Sequence, residues 1–268
     1  MNNSRQFPNN YLDRYLTDVR AQGRYSFTLS ELQKTFDLTY PALKQNLYRL
    51  KLKKEVVQIR QGFYMIIPPE YSKQSIIPPY LYIDDLMKSL NKSYYVGLLS
   101  AAALHGAAHQ QPMGYTVITQ SPAPRSIGKL NIIFFSKQEF LQNGIIQKKT
   151  PAGYINVSSP ELTALDFFDY IHIFGINRIT TVLQELSEEM KPAPLLKIAR
   201  QYSNTAAIQR LGYILDEIIS AEKLSDTLWK ALSERTCFPV PLSPQKEKKG
   251  ETDNKWKVIK NMEIESDL

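Results

Sequence analysis

Six short predicted elements follow one another within the first 67 residues, and few folds accommodate their order. Apolar residues at helical spacing predict three helices, and two runs rich in β-branched and aromatic residues flank Gly62 as in a hairpin. The elements are a helix at 10–22, an extended segment at 25–28, helices at 31–36 and 40–54, and a hairpin at 56–67. This order predicts an N-terminal winged helix-turn-helix over residues 1–67.

Residues at the predicted ends support these assignments. Gly23 follows the first helix, where a left-handed residue commonly ends a helix. Ser30 is the expected N-cap of the second helix and Thr39 that of the third. Pro41 lies in the first turn of the third helix, where its missing N–H costs no hydrogen bond. Gly62 supplies the positive φ that a tight hairpin turn requires.

The third helix has one apolar face and one polar face. Leu43, Leu47 and Leu50 lie at i, i+4 and i+7, so we expect this face to be buried. A polar helix face of this kind matches the major groove, where Arg and Lys pair with guanine and Gln with adenine. The residues predicted on the opposite face and its flank are Pro41, Lys44, Gln45, Tyr48 and Arg49.

Charge is concentrated in the same part of the chain. Residues 1–70 hold 11 Lys and Arg against 6 Asp and Glu, whereas the remaining residues hold 22 against 20. A small basic domain favours a polyanionic partner, although charge alone also fits a solvated face. A wing tip with Arg60 and Gln61 is placed to contact the adjacent backbone or minor groove. A helical domain whose hairpin binds another protein is the alternative.

Beyond the winged helix, proline pairs at 68–69 and 78–79 predict a linker over 68–80. Residues 81–268 then form a larger mixed α/β domain with a helix-rich C-terminal half, so that the whole chain is α+β. The predicted helices are 82–90, 94–107 and 162–172, with further helical stripes at 179–190 and 208–219; the predicted strands are 115–119, 131–135, 145–148 and 154–157, with a final strand within 256–259 that docks back.

Composition excludes several classes of protein. No apolar run approaches the about 20 residues of a membrane-spanning helix, and the first residues lack the apolar stretch of a secretory signal. The single cysteine, Cys237, excludes an intramolecular disulfide and fits the reducing cytoplasm. With no histidine near it in the sequence, Cys237 is expected to be a passive thiol. We therefore expect a cytoplasmic protein that does not contact a membrane.

Two histidines have a spacing found in metal sites. His105 and His109 are at i, i+4, but Gly106 interrupts the helix and no cysteine pair completes a ligand set. We expect His105 to pack against or cap a helix end. The sequence also lacks the glycine-rich loops that bind phosphates and the Gly-x-Ser-x-Gly nucleophile motif. We expect no metal, no cofactor and no catalytic residue.

Three acidic residues, Glu161, Asp166 and Asp169, share one predicted helix. A nuclease would need convergent carboxylates with a positioned lysine or a magnesium ion, and no partner motif follows in the sequence. The simpler interpretation is a helix N-terminus enriched in acidic residues, which the helix dipole favours. A nuclease or other enzyme remains the alternative that these residues leave open.

Several segments together resemble the AbiEi family of antitoxins, which belong to type IV toxin–antitoxin (abortive-infection) systems. The resemblance follows the winged helix and extends over nearly the whole chain. The segments that carry it are Tyr95-Val96-Gly97-Leu98-Leu99-Ser100-Ala101-Ala102-Ala103-Leu104-His105-Gly106, Val117-Ile118-Thr119, Arg125, Ile132-Ile133-Phe134-Phe135, Ser159-Pro160-Glu161-Leu162-Thr163-Ala164-Leu165-Asp166 and Asn254-Lys255-Trp256.

This resemblance implies a protein with two functions. The winged helix would repress its own operon at promoter inverted repeats, and the C-terminal domain would counteract a nucleotidyltransferase toxin, with direct contact to the toxin left open. Arg125, in a proline-rich loop, is a candidate for a functional surface or an ordinary exposed charge. A regulator whose C-terminal domain senses a ligand or oligomerises is the alternative function. By position, the family's DNA-contact region corresponds to Thr39, Tyr40, Pro41, Lys44, Gln45, Tyr48, Arg49, Arg60 and Gln61.

Overall fold

The chain is described by a computed structural model that covers residues 11–36, 38–72, 77–107, 114–125 and 131–264. These residues form two compact units. The first unit takes its residues from Met1–Tyr94, Pro124–Ile133 and Gln147–Ile155, and the second takes them from Tyr95–Ala123, Phe134–Ile146 and Asn156–Leu268. The predicted linker at 68–80 has short 3₁₀ turns at Pro69–Tyr71 and Pro79–Leu81.

The first unit begins with a winged helix-turn-helix, as the order of elements predicted. Its three strands form an antiparallel sheet in the order β1-β3-β2, and the turn between β2 and β3 is the wing. The elements of this unit are α1 (Tyr11–Ala21), β1 (Ser26–Thr28), α2 (Leu29–Phe36), α3 (Tyr40–Leu52), β2 (Val56–Arg60), β3 (Phe63–Ile66) and α4 (Ile83–Ser89).

Two of the predicted helix and turn positions are confirmed by backbone geometry. Gly23 has φ +74°, and the bonds Gly23 N–H to Arg20 O and Arg24 N–H to Val19 O end α1 in a Schellman motif. Gly62 has φ +77° in the wing turn. Both positions therefore use the left-handed conformation that glycine adopts without a steric penalty.

The prediction of Ser30 as the N-cap of α2 was wrong, because the helix begins at Leu29. Thr28 Oγ1 accepts from Glu31 N–H at 3.1 Å, and Thr28 N–H donates to Glu31 Oε2 at 2.6 Å. This reciprocal pair is a capping box, which satisfies two N–H groups at the helix start. Thr39 precedes α3 with extended backbone angles, but its side chain makes no capping hydrogen bond.

The described chain from Tyr94 onward combines a sheet with a large helical part. Five strands form a sheet in the order β6-β5-β4-β8-β7, with β4 and β8 parallel at Val96 and Val157. Its strands and helices are β4 (Tyr94–Val96), α5 (Leu98–Leu104), β5 (Tyr115–Gln120), β6 (Ile132–Lys137), β7 (Ile145–Thr150), β8 (Gly153–Ser158), α6 (Pro160–Asp169), α7 (Ile171–Phe174), α8 (Ile176–Glu189), α9 (Pro192–Gln201), α10 (Thr205–Tyr213), α11 (Glu222–Leu232), β9 (Val240–Pro241) and β10 (Val258–Ile259).

The predicted helix at 94–107 was wrong in its first four residues. Residues Tyr94–Val96 form the buried middle strand β4, and α5 starts only at Leu98, after Gly97 with its extended backbone. A β-carbon on Gly97 would lie 2.7 Å from Ile118 Cδ1, and Leu98 has φ +54°. The small residues predicted close packing, and the structure shows it, but the packed segment is a strand followed by an extended glycine and a shorter helix.

The C-terminal segment docks back on the helices, as the sequence predicted. Strand β10 pairs in parallel with β9, and the fully buried ring of Trp256 lies over Gly212 in α10. Trp256 Nε1 donates to Asp216 Oδ2 at 2.9 Å, within a π-helical turn at Ile214–Ile218. This segment therefore completes the apolar core of the second unit.

Candidate functional site

The buried face of α3 holds the helix against the winged-helix core. Leu43, Leu47 and Leu50 are buried, as predicted, and pack in one cluster with residues of α1 and α2. Because these leucines occupy one stripe, the remaining surface of α3 faces solvent. The helix contains no Asp or Glu, and its last turn contains Arg49 and Lys51.

All nine residues predicted to contact DNA are exposed. Tyr40, Lys44, Gln45, Tyr48 and Gln61 line one groove of about 590 Å³ between α3 and the wing. The structure therefore brings these five together. The other four, which are exposed but do not line this groove, are Thr39, Pro41, Arg49 and Arg60.

The groove also contains residues that the sequence reasoning missed. Lys51 Nζ donates to Gln58 Oε1 at 2.7 Å and lies 5.6 Å from the ring centroid of Tyr64. Burial raises the pKa of Tyr64, so its hydroxyl stays neutral. Lys51 follows Lys44 at i+7, which indicates the same helix face, and this spacing was the available clue. The cross-element pair with Gln58 depends on the packing of β2 against α3.

A second cluster of polar side chains lies buried in the second unit. Asp166 is 0% exposed and accepts hydrogen bonds from Tyr95 OH at 2.7 Å, from Tyr202 OH at 2.9 Å and from Lys137 Nζ. Lys137 Nζ also lies 2.7 Å from Asp169 Oδ2. We call these five residues the Asp166 cluster.

The cluster corrects the interpretation of the acidic residues. Only Glu161 lies in the first turn of α6, whereas Asp166 and Asp169 lie in its last turns, so the helix dipole does not explain them. Glu161 accepts from Lys191 N–H at 2.8 Å. The positioned lysine that seemed missing from the sequence is Lys137, at the end of β6.

Electrostatics in the cluster favour bound protons. Burial is the largest effect on Asp166 and raises the pKa of its carboxyl, and Lys137 only partly offsets it. Burial alone would lower the pKa of Lys137, but Asp166 and Asp169 outweigh burial and raise it. Burial beside the aspartates raises the pKa of Tyr95 and Tyr202 well above the usual range for tyrosine. Besides burial, the two carboxylates favour bound protons on Lys137, Tyr95 and Tyr202, because negative charge stabilises a protonated neighbour.

The segment that holds this cluster matches a known family. Residues 95–217 match the family model of the AbiEi antitoxin C-terminal domain. The chain therefore contains an AbiEi antitoxin C-terminal domain over these residues. The family resemblance predicted from the sequence is thereby confirmed, and all five members of the Asp166 cluster lie within the AbiEi domain.

The fold of the chain is similar to that of a solved structure. The crystal structure of the RV2827C protein from Mycobacterium tuberculosis matches with a TM-score of 0.68 and 16% sequence identity, over 95% of this chain and 92% of that chain. At this identity the likeness concerns the fold alone. A comparison with curated proteins finds no significant match.

The remaining predicted residues lie outside both sites. Arg125 is exposed in the segment that follows β5. His105 ends α5, and its Nε2 lies 2.7 Å from the carbonyl of Ser158, which fits the predicted role at a helix end. His109 lies outside the described residues. Burial raises the pKa of the Cys237 thiol, which disfavours the reactive thiolate.

Within the described ranges, no three His, Cys, Asp or Glu side chains are grouped so that they could hold a metal ion. In the same part of the chain, no helix has the length and apolar character needed to cross a membrane.

Proposed function

We propose that this protein is an antitoxin that also represses its own operon. The winged helix binds inverted repeats in promoter DNA, and the C-terminal domain counteracts a nucleotidyltransferase toxin encoded beside it. The antitoxin part rests on the AbiEi domain at 95–217. The DNA-binding part rests on one observation: the whole solvent-facing surface of α3 is free of acidic residues and adjoins the wing. The promoter places this action in the bacterial cytoplasm.

The groove between α3 and the wing supports this mode of binding. With α3 in the major groove and Arg60 and Gln61 at the adjacent backbone or minor groove, one sugar–phosphate strand passes between them. That strand would face Lys44, Lys51 and Gln58, which supply cationic and amide donors. These contacts carry affinity, whereas Gln45, which also lines the groove, and Arg49, which is exposed outside it, carry sequence specificity.

Changing Arg49 to Ala should weaken binding to the promoter by about 1–3 kcal/mol and relax the preference for one base pair. Changing Lys44 to Ala should instead weaken binding to all sequences and reduce the slope of log K against log salt by about 1. Fluorescence anisotropy over a salt series measures both effects. Lys230→Ala, an exposed charge on α11, is the control. If R49A binds as tightly as the wild type, the proposed orientation of α3 is wrong.

Toxin rescue tests the antitoxin function in the full chain. The neighbouring toxin gene is induced alone, with the wild-type protein and with R49A. We expect both proteins to restore growth, because the substitution affects α3 and leaves the AbiEi domain unchanged. Promoter binding without rescue by either protein would contradict the antitoxin function.

Promoter binding without toxin rescue would support a regulator that senses a ligand. A polar cavity of about 220 Å³ in the second unit favours this alternative, since Lys137, Asp169 and Tyr202 line it together with Gln138 and Glu139. In that case a small molecule would change promoter affinity without any effect on the toxin.

A further inference from the structure

The winged helix leaves an unusual set of apolar side chains in water. Among the described residues between Tyr11 and Tyr94, the large hydrophobic side chains that are exposed all belong to α3: Tyr40 is 42% exposed, Tyr48 61% and Leu52 67%. They are separated by eight and four residues, so they follow one i, i+4 row of the helix. We call these three residues the apolar row. Single exposed hydrophobic residues are common on protein surfaces, but a row on one helix indicates a contact surface.

The apolar row has no role in the core or in helix formation. The core face of α3 is already filled by Leu43, Leu47 and Leu50. Tyrosine is a weaker helix former than lysine, glutamine or alanine, so helix propensity does not explain Tyr40 and Tyr48 at exposed positions. The row is therefore available to a partner.

Positive charge surrounds the row and indicates the chemistry of that partner. Lys44 lies between Tyr40 and Tyr48 in the same i, i+4 series, and its Nζ is 4.7 Å from the ring centroid of Tyr40. Arg49 and Lys51 follow on the same helix, which has no acidic residue. A surface that alternates cations with apolar groups fits an anionic partner that also carries apolar groups. The major groove of DNA is such a partner, and its apolar group is the 5-methyl of thymine.

On the basis of the DNA binding proposed above, we infer that Tyr48 packs against thymine 5-methyl groups in the major groove, with Tyr40 beside it. Both rings line the groove between α3 and the wing, next to Gln45 and Lys44. The promoter repeat therefore contains thymine under the middle of α3. Tyr48 is a specificity residue in this arrangement, and it acts through apolar contact and not through a hydrogen bond to a base edge.

Deoxyuridine tests this inference because it lacks only the methyl group and keeps the phosphate charge and base pairing. A promoter fragment that contains the repeat is synthesised with thymidine or with deoxyuridine, and the dissociation constants are measured by anisotropy at one salt concentration. We expect the wild-type protein to bind the deoxyuridine fragment about fourfold more weakly for each contacted methyl. Tyr48→Ala should bind both fragments equally, at about the affinity of the wild type for the deoxyuridine fragment.

Matched variants separate the methyl contact from other effects. Tyr48→Phe keeps the ring and should keep the ratio between the two fragments. Arg60→Ala, on the wing, should weaken binding to both fragments and leave the ratio of the two dissociation constants unchanged. Equal wild-type affinity for both fragments would overturn the inference and leave the apolar row to a protein partner. A ratio that persists in Y48A would also overturn it, since the methyl would then act through DNA shape. Failure of the wild type to bind the thymidine fragment would contradict the DNA-binding function itself.

Discussion

Replacing Lys137 by Met should destabilise the AbiEi domain by about 3–5 kcal/mol at neutral pH, the cost of removing one partner from a buried ion pair. Asp166 is 0% exposed, and Lys137 is its cationic partner in the Asp166 cluster. Without the ammonium, the carboxylate keeps only the hydroxyls of Tyr95 and Tyr202 as donors. Urea denaturation of the variant and the wild type measures the difference in the free energy of unfolding.

The loss of stability in K137M should grow as the pH rises. Burial already raises the pKa of Asp166, so its contribution to stability is present below the ordinary pKa of aspartate and is lost as the pH rises through the raised value. Removal of Lys137 raises this pKa further. The destabilisation should therefore be smaller at about pH 5 than at about pH 8, because a protonated carboxyl is less costly to bury.

Lys230→Met is the matched control for K137M, since Lys230 is exposed on α11. It should change stability by less than about 0.5 kcal/mol at either pH. A K137M protein that is as stable as the wild type at neutral pH would show that the ion pair of Lys137 with Asp166 contributes nothing to stability. A loss of this size lowers the amount of folded protein in the cell, so K137M should also fail in toxin rescue.

Replacing Trp256 by Ala should cost about 3–5 kcal/mol, the range for removing a large buried aromatic side chain. The ring is 0% exposed and covers Gly212, where a β-carbon would lie 2.0 Å from Trp256 Cζ3. Gly212→Ala should therefore displace the ring and cost a similar amount. The double variant should be no less stable than W256A alone, because the methyl group occupies the vacated space. Urea denaturation of all four proteins forms a double-mutant cycle.

Trp229→Ala provides the control for this cycle. Trp229 meets Trp256 edge-on, with ring centroids 5.7 Å apart, but its side chain is 39% exposed. Its replacement by Ala should therefore lower the free energy of unfolding by less than W256A does. If the stability losses of W256A and G212A add up in the double variant, the two residues do not share the contact that the structure shows.

Acid should also weaken this C-terminal docking. Burial alone would raise the pKa of Asp216, but hydrogen bonds from Lys255, Trp256 and Ser225 together lower it. A carboxyl with a lowered pKa contributes stability above its ordinary pKa, and this contribution is lost as the pH falls through the lowered value. In W256A one of these hydrogen bonds is absent, so stability should depend less on pH in the acid range.

The spacing and type of residues within each element predicted most of the winged helix. The leucine stripe of α3 and the glycines at 23 and 62 act through contacts within a few residues, so their geometry follows from the chain itself. The exposure of the predicted DNA-contacting residues on α3 follows from the same stripe. The N-cap of α2 was misplaced by two residues because Thr28 also ends β1, and both assignments compete for the same residue.

Contacts between distant segments decided the rest. Tyr94–Val96 has a composition that suits either a helix or a strand, and its place in the middle of a sheet made it a strand. The acidic residues of α6 were interpreted from the helix alone, which could not show that Lys137 packs against it.

The sequence by itself determined the order of elements, the buried stripe of α3, the basic first quarter and the family resemblance, because each depends on residue spacing or composition. Only the tertiary structure decided which side chains meet. Lys137 and Tyr95 reach Asp166 across 29 and 71 residues of chain, and Lys51 reaches Gln58 across a helix end and a strand. Such contacts depend on how the elements pack, and the periodicity within one element does not predict that packing.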